Sequence, residues 1–162
     1  MEEIKIESLI RKHRLDELPE EDKLLLNQAA RAAEKAYAVY SKFKVGAAVL
    51  LKNDEIVTGS NQENIAYPSG LCAERVAVFY AGAKYPDVAV DTVAVIATSE
   101  QMKVLSPISP CGACRQALKE YEDRHKHSIR MLLKGDDDVV LEVHSIGDLL
   151  PLSFNQLGLK KE

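Results

Sequence analysis

The chain has no tryptophan, only three cysteines, and no run approaching the roughly 18 consecutive apolar residues of a membrane-spanning helix. An odd, small number of cysteines excludes a disulfide framework and leaves metal binding or redox chemistry. A basic surplus is missing as well. Lys and Arg number 21 against 25 Asp and Glu, a net charge of −4, so neither nucleic acid nor a membrane is an expected partner. The start, Met1-Glu2-Glu3-Ile4-Lys5, lacks the basic and apolar regions of a signal peptide, and the expected location is cytoplasmic. What is present is ordinary for a soluble globular protein: 162 residues, 46% hydrophobic and 28% charged. One domain of that size buries roughly 70% of its unfolded surface without help from a metal, so any metal would serve chemistry.

In chain order, Ile4, Ile6, Leu9 and Ile10 suggest a short amphipathic helix within 1–15, and residues 1–18 read as an extension to a core of 19–154. Pro19-Glu20-Glu21-Asp22 has the proline and carboxylates of a helix start. Leu24, Leu25, Ala29, Ala32, Ala33 and Ala36 then give a helix to about Tyr37 one apolar stripe of mostly small side chains. Strands are expected at 43–51 and 56–60, joined as a hairpin through Lys52-Asn53-Asp54-Glu55. Cys72, Val76, Val78, Phe79 and Ala83 predict a largely buried helix from 72 to about 84, and the apolar run 92–97 a central strand. A helix from 114 to about 124 precedes strands at 129–133 and 139–143, and a last helical turn covers 146–151. The link Lys134-Gly135-Asp136-Asp137-Asp138 is too short for a parallel crossover, so the last two strands should be antiparallel. The expected fold class is α/β: a single three-layer α/β/α domain over 1–162, with a five-stranded mixed sheet.

All three cysteines fall in two stretches, Cys72-Ala73-Glu74 and Pro110-Cys111-Gly112-Ala113-Cys114, each at an expected helix start. A helix N-terminus favours thiolates, and three thiolates with an open fourth position and a nearby carboxylate suit a catalytic zinc site. Cys72, Cys111 and Cys114 are the candidate ligands of one Zn2+ per chain, and Glu74 the candidate general acid and base. Zinc on three thiolates has a formal charge of −1, so Arg75 and Arg115 are expected to draw charge away by donating hydrogen bonds to thiolate sulfur. A lone Cys-x-x-Cys would equally fit a redox pair, but the upstream Cys-Ala-Glu and the absence of a spare cysteine favour a metal. A structural zinc would want a fourth protein ligand, and His13, His125, His127 and His144 supply none convincingly.

These motifs resemble the small zinc-dependent cytidine deaminases from about Tyr37 to Phe154. The resemblance rests on Tyr40-Ser41-Lys42-Phe43-Lys44-Val45-Gly46-Ala47-Ala48, Gly59-Ser60-Asn61-Gln62-Glu63-Asn64, Tyr67-Pro68-Ser69-Gly70 leading into Cys72, Ser109 to Gln116, and Leu149-Leu150-Pro151. It implies pyrimidine salvage: hydrolysis of cytidine and deoxycytidine to uridine and deoxyuridine, with loss of ammonia, in a homotetramer with shared active sites. By the same resemblance Asn61 and Glu63 hold the ribose hydroxyls, Phe43 packs on the base, and the backbone N–H of Ala73 donates to the base carbonyl. Phe154 would reach the pyrimidine of a neighbouring subunit. Without the family, core packing would be the simpler reading of Phe43 and Phe154. The chain departs from the family pattern at Val39 and Lys44, usually proline, at Ile65, usually small, and at Asn155-Gln156, usually Gly-Pro.

Three other readings compete. The same metal motifs occur in deaminases of modified cytosine nucleosides such as blasticidin S, although Asn61, Glu63 and Phe154 favour cytidine. A noncatalytic zinc-stabilised binding module would have no need of Glu74. A Cys-x-x-Cys redox protein would bind no zinc.

Overall fold

A computed structural model describes residues 1–155; Gln156, named above, lies outside them. The elements in order are β1 (Ile10–Arg14), α1 (Glu20–Glu34), β2 (Phe43–Leu51), β3 (Ile56–Ser60), α2 (Ala73–Lys84), β4 (Val90–Ser99), α3 (Gly112–His125), β5 (Arg130–Lys134) and β6 (Val139–Val143). Short 3-10 turns sit at Leu15–Glu17, Tyr67–Ser69 and Ile146–Asp148. The strands form one sheet in the order β1-β6-β5-β4-β2-β3. Only β4 and β5 pair in parallel, as the intervening α3 allows, while β5 and β6 are antiparallel as their short link requires.

Side-chain alternation along the strands builds two cores. Ala47 and Val49 of β2, Val93 and Val95 of β4 and Met131 of β5 face α2 and α3, meeting Ala77, Val78 and Leu118. Ala48, Ala94 and Leu132 face the other way and meet Leu25, Leu26 and Ala29 of α1. The result is the expected three-layer arrangement of helices on both sheet faces. Small residues let the helices sit close. A Cβ on Gly59 would lie 2.6 Å from the Ala77 nitrogen and 2.8 Å from the Ala73 oxygen, so β3 approaches the first turns of α2 backbone to backbone.

The amino-terminal expectation is corrected: the sheet has six strands, and the extra one is β1, where a helix was expected. Residues 1–9 are exposed and outside any regular element. β1 exists because β6 supplies its backbone partners, in register from Ile10 opposite Val143 to Arg14 opposite Val139. Charge adds to the pairing. Glu142 of β6 lies 2.7 Å from His13 Nε2 and 3.6 Å from Arg130, and Arg130 makes a two-pronged ion pair with the buried Asp22 of α1. Leu18, also buried, seals the α1-side core.

Two smaller expectations also change. In α1, Leu26 is buried and Leu24 exposed, and the helix ends at Glu34 so that Tyr37 can bridge to Gln62 beside the site. In α2, Ala77, Val78 and Ala81 face the sheet, whereas Phe79 points outward at 45% exposure. Among the described residues no helix is long and apolar enough to cross a membrane.

Candidate active site

Two helix starts converge at the site. Cys72 is the N-cap of α2 and Cys111 the N-cap of α3, both in extended backbone conformation, with Cys114 one turn into α3. Neither cysteine makes the side-chain cap bond that Ser, Thr, Asp or Asn would supply there, so both thiols are free to face a ligand. The Cys72 and Cys111 sulfurs lie 3.9 Å apart, Cys111 and Cys114 3.5 Å apart, and all three fall within 4.8 Å of one another. Thiolates each about 2.3 Å from one tetrahedral ion stand about 3.8 Å apart, so this cluster fits a zinc ion. An all-sulfur donor set, buried at Cys114 and open at Cys111, also suits a soft metal reached from one side.

The electrostatics of the cluster call for a cation. Hydrogen bonding from the Cys114 thiol outweighs partial burial and, with the Arg75 guanidinium, pulls the Cys72 thiol down to about 5. Its pairing with Cys72, together with burial and the Glu74 charge, pushes the Cys114 thiol far up. A bound cation would let all three ionise together. Glu74, two residues after the first ligand, is 5% exposed, and burial followed by the nearby Cys72 charge raises its carboxyl above the usual range. A buried carboxyl raised in this way is suited to take up a proton and return it.

The two arginines part company. Arg75 directs Nη2 at the Cys72 sulfur, 3.9 Å away. Arg115 does not touch a sulfur: Nε donates to the Pro110 carbonyl at 2.8 Å, Nη1 to the Leu149 carbonyl at 2.8 Å and Nη2 to Ser109 Oγ at 2.9 Å. The expectation for Arg115 is therefore corrected. With about 3.6 residues per turn, its side chain leaves α3 roughly 100° from that of Cys114. It braces the loop that delivers Cys111 against the turn after β6.

Beside Cys72 opens a cavity of about 500 Å3 lined by Tyr40, Asn61, Glu63, Tyr67, Cys72 and Arg75 among others. Asn61 bridges β2 there, its Oδ1 accepting from the Val45 N–H at 2.8 Å and its Nδ2 donating to the Phe43 carbonyl at 3.0 Å. Ser41 and the Tyr40 N–H donate to Glu63 and hold its carboxyl below the usual range. Ala73 opens α2, where first-turn N–H groups have no acceptor within the helix. Phe43 and Phe154 stand outside the cavity wall: Phe43 is half-buried, while Phe154 is 79% exposed with its carbonyl held by Gln116 Nε2 at 2.8 Å. Reasoning from the sequence missed Ser41 and Tyr40 as partners of Glu63, although both lie in the Tyr40-Ser41-Lys42-Phe43 stretch it singled out.

Comparison with known proteins agrees with this geometry. Residues 19–127 match the model of the cytidine and deoxycytidylate deaminase zinc-binding region. The chain is 36% identical over 131 residues to a cytidine deaminase of Halalkalibacterium halodurans, covering 81% of this chain and 92% of the relative. Against a cytidine deaminase of Mycobacterium tuberculosis it is 35% identical over 139 residues, covering 86% and 93%. The crystal structure of a cytidine deaminase from Burkholderia pseudomallei superposes with a TM-score of 0.70 at 38% identity, covering 82% of this chain and 98% of that one. With its three-cysteine cluster at two helix starts and a family match across most of its length, the chain belongs to the cytidine and deoxycytidylate deaminase family.

Proposed function

We propose that the protein hydrolyses cytidine and deoxycytidine to uridine and deoxyuridine, releasing ammonia. The observation that carries this is the buried Glu74 carboxyl two residues after Cys72 of the three-thiol cluster. Cys72, Cys111 and Cys114 would hold a zinc ion, which would supply the Lewis acidity that makes water nucleophilic near neutral pH. As water adds to C4 of the ring, Glu74 accepts its proton and delivers it to N3. Glu74 then takes the remaining hydroxyl proton and gives it to the exocyclic nitrogen, which leaves as ammonia. The Ala73 N–H holds the base carbonyl, Asn61 and Glu63 hold the sugar hydroxyls, and Phe43 packs on the base.

Charge favours a nucleoside over a nucleotide such as deoxycytidylate. Glu63 stays ionised in the cavity, and the one basic side chain on its described wall, Arg75, is turned toward Cys72. On the described cavity wall a 5′-phosphate would meet the Glu63 carboxylate and no basic side chain besides Arg75, although Lys42 lies near enough to Glu63 to help lower its carboxyl.

The protein acts as a single domain, as a homotetramer in which Phe154 covers the base in a neighbouring subunit, in cytoplasmic pyrimidine salvage. The exposed Phe154 ring supports that cross-subunit role. The deciding experiment is conversion of cytidine by zinc-loaded protein beside a Glu74→Gln variant that keeps its zinc. Turnover by wild type and a loss of at least about a hundredfold in the variant are expected. A wild type that holds zinc and leaves cytidine and deoxycytidine untouched would falsify the substrate assignment.

A further inference from the structure

One hydrogen-bonded cluster joins the Asn61 and Glu63 side chains to the backbone of Phe43. Ser41 lies at its centre. Its hydroxyl donates to Glu63 Oε1 and accepts from the Phe43 N–H at 3.0 Å. The backbone around it adds the Tyr40 N–H on Glu63 Oε2 at 2.8 Å and the Ser41 N–H at 3.3 Å to the same oxygen. From the other side Asn61 grips the Phe43 carbonyl and the Val45 N–H. The loop that carries Ser41 then turns at Lys42, whose φ of 56° is a conformation that a non-glycine residue adopts only when its surroundings enforce it.

We propose that Ser41 is a positioning residue for substrate: its hydroxyl orients the Glu63 carboxylate toward the sugar and ties that orientation to the backbone of Phe43. A carboxylate has about four lone-pair directions. The Tyr40 N–H bonds Oε2, the Ser41 N–H is shared between Oε2 at 3.3 Å and Oε1 at 3.4 Å, and the Ser41 hydroxyl donates to Oε1, so these three donors leave acceptor capacity for a sugar hydroxyl in the cavity. Without the Ser41 hydroxyl the carboxylate keeps its charge and its backbone N–H contacts but loses the side-chain bond that fixes Oε1, so its orientation loosens. The sugar hydroxyls then meet a mobile acceptor, which weakens ground state and transition state alike. Such uniform loss raises KM and leaves kcat nearly unchanged.

The inference rests on the reading of Glu63 as the sugar-holding group of a cytidine deaminase, and the test separates the two. Kinetics of wild type, Ser41→Ala and Ser41→Thr are measured on cytidine and on 2′,3′-dideoxycytidine, which lacks the 2′- and 3′-hydroxyls that Glu63 is proposed to hold and keeps only the 5′-hydroxyl. Ser41→Ala should raise KM for cytidine roughly tenfold at similar kcat, leave the dideoxy substrate at its wild-type KM, and be rescued by Ser41→Thr. Equal losses on both nucleosides mean that Ser41 only closes a turn, and the proposal fails while the function stands. An unchanged KM for cytidine in Ser41→Ala also overturns it. If wild type deaminates neither nucleoside, the function and this proposal fall together.

Discussion

Arg75 aims Nη2 at the Cys72 sulfur across 3.9 Å, while the Nε of the same guanidinium is buried with no hydrogen-bond partner among the described residues. A guanidinium held with one donor unsatisfied is costly unless its charge is needed where it sits. The thiolate cluster provides that need. Burial pushes the Arg75 pKa down, but the Cys72 bond and the Cys114 charge outweigh it and raise it.

Replacing Arg75 with Gln keeps some donor capacity and removes the charge. Zinc affinity and deamination should each fall by about tenfold or more, the usual effect of losing a group that supports a metal ligand. The check is metal content after dialysis against a graded chelator, read beside cytidine turnover. A variant matching wild type in both would remove Arg75 from the zinc site.

Arg115→Ala should behave differently, because its three donors hold backbone and Ser109 rather than sulfur. Loss of that brace should cost about 1–3 kcal/mol of stability, seen as a lower denaturant midpoint. Lysine cannot span the same three acceptors, so Arg115→Lys should recover little of the loss. An unchanged midpoint in Arg115→Ala would show that the loop and turn hold without it.

The contrast between these arginines shows what the sequence makes legible. Cys72, Cys111 and Cys114 could be read because each candidate ligand sits at a helix start marked by local pattern, and folding only had to bring two such starts together. Arg75 and Arg115 each follow the metal motifs closely, yet closeness along the chain does not say which way a helical side chain points. The same limit hid β1. Ile-Arg-Lys-His-Arg has neither a strand alternation nor a helical stripe, and it becomes a strand only because β6 offers an edge and Glu142 offers a charge. Ser41 was hidden for a related reason, since its partner Glu63 comes from the far end of the β2–β3 hairpin.

Gly59 tests how tightly the site depends on the sheet. A methyl group there would meet the backbone of Ala73 and Ala77, so α2 must move. Gly59→Ala should cost about 1–3 kcal/mol by overpacking. Because Ala73 and Glu74 lie in the displaced turn, deamination should fall even where the protein remains folded. Activity at wild-type level in folded Gly59→Ala would mean that the sheet-to-helix spacing is not what places Glu74.

Acid should act on β1 through Glu142. Partial burial raises its carboxyl, but the His13 bond and the charges of Arg130, His13 and Arg11 outweigh burial and hold it below its ordinary value of 4.5. A depressed carboxylate contributes stability that is fully present above 4.5 and is lost as pH falls through the lower folded value. The amides of Ile10 to Arg14 should therefore keep the same hydrogen-exchange protection, corrected for intrinsic rates, from neutral pH down to about 4.5 and lose it progressively as pH falls from there through the lower folded value. In Glu142→Gln the loss should already be present at neutral pH, and further acidification should add little at this strand. If protection instead declines well above 4.5, a group other than Glu142 governs how the amino-terminal strand is held.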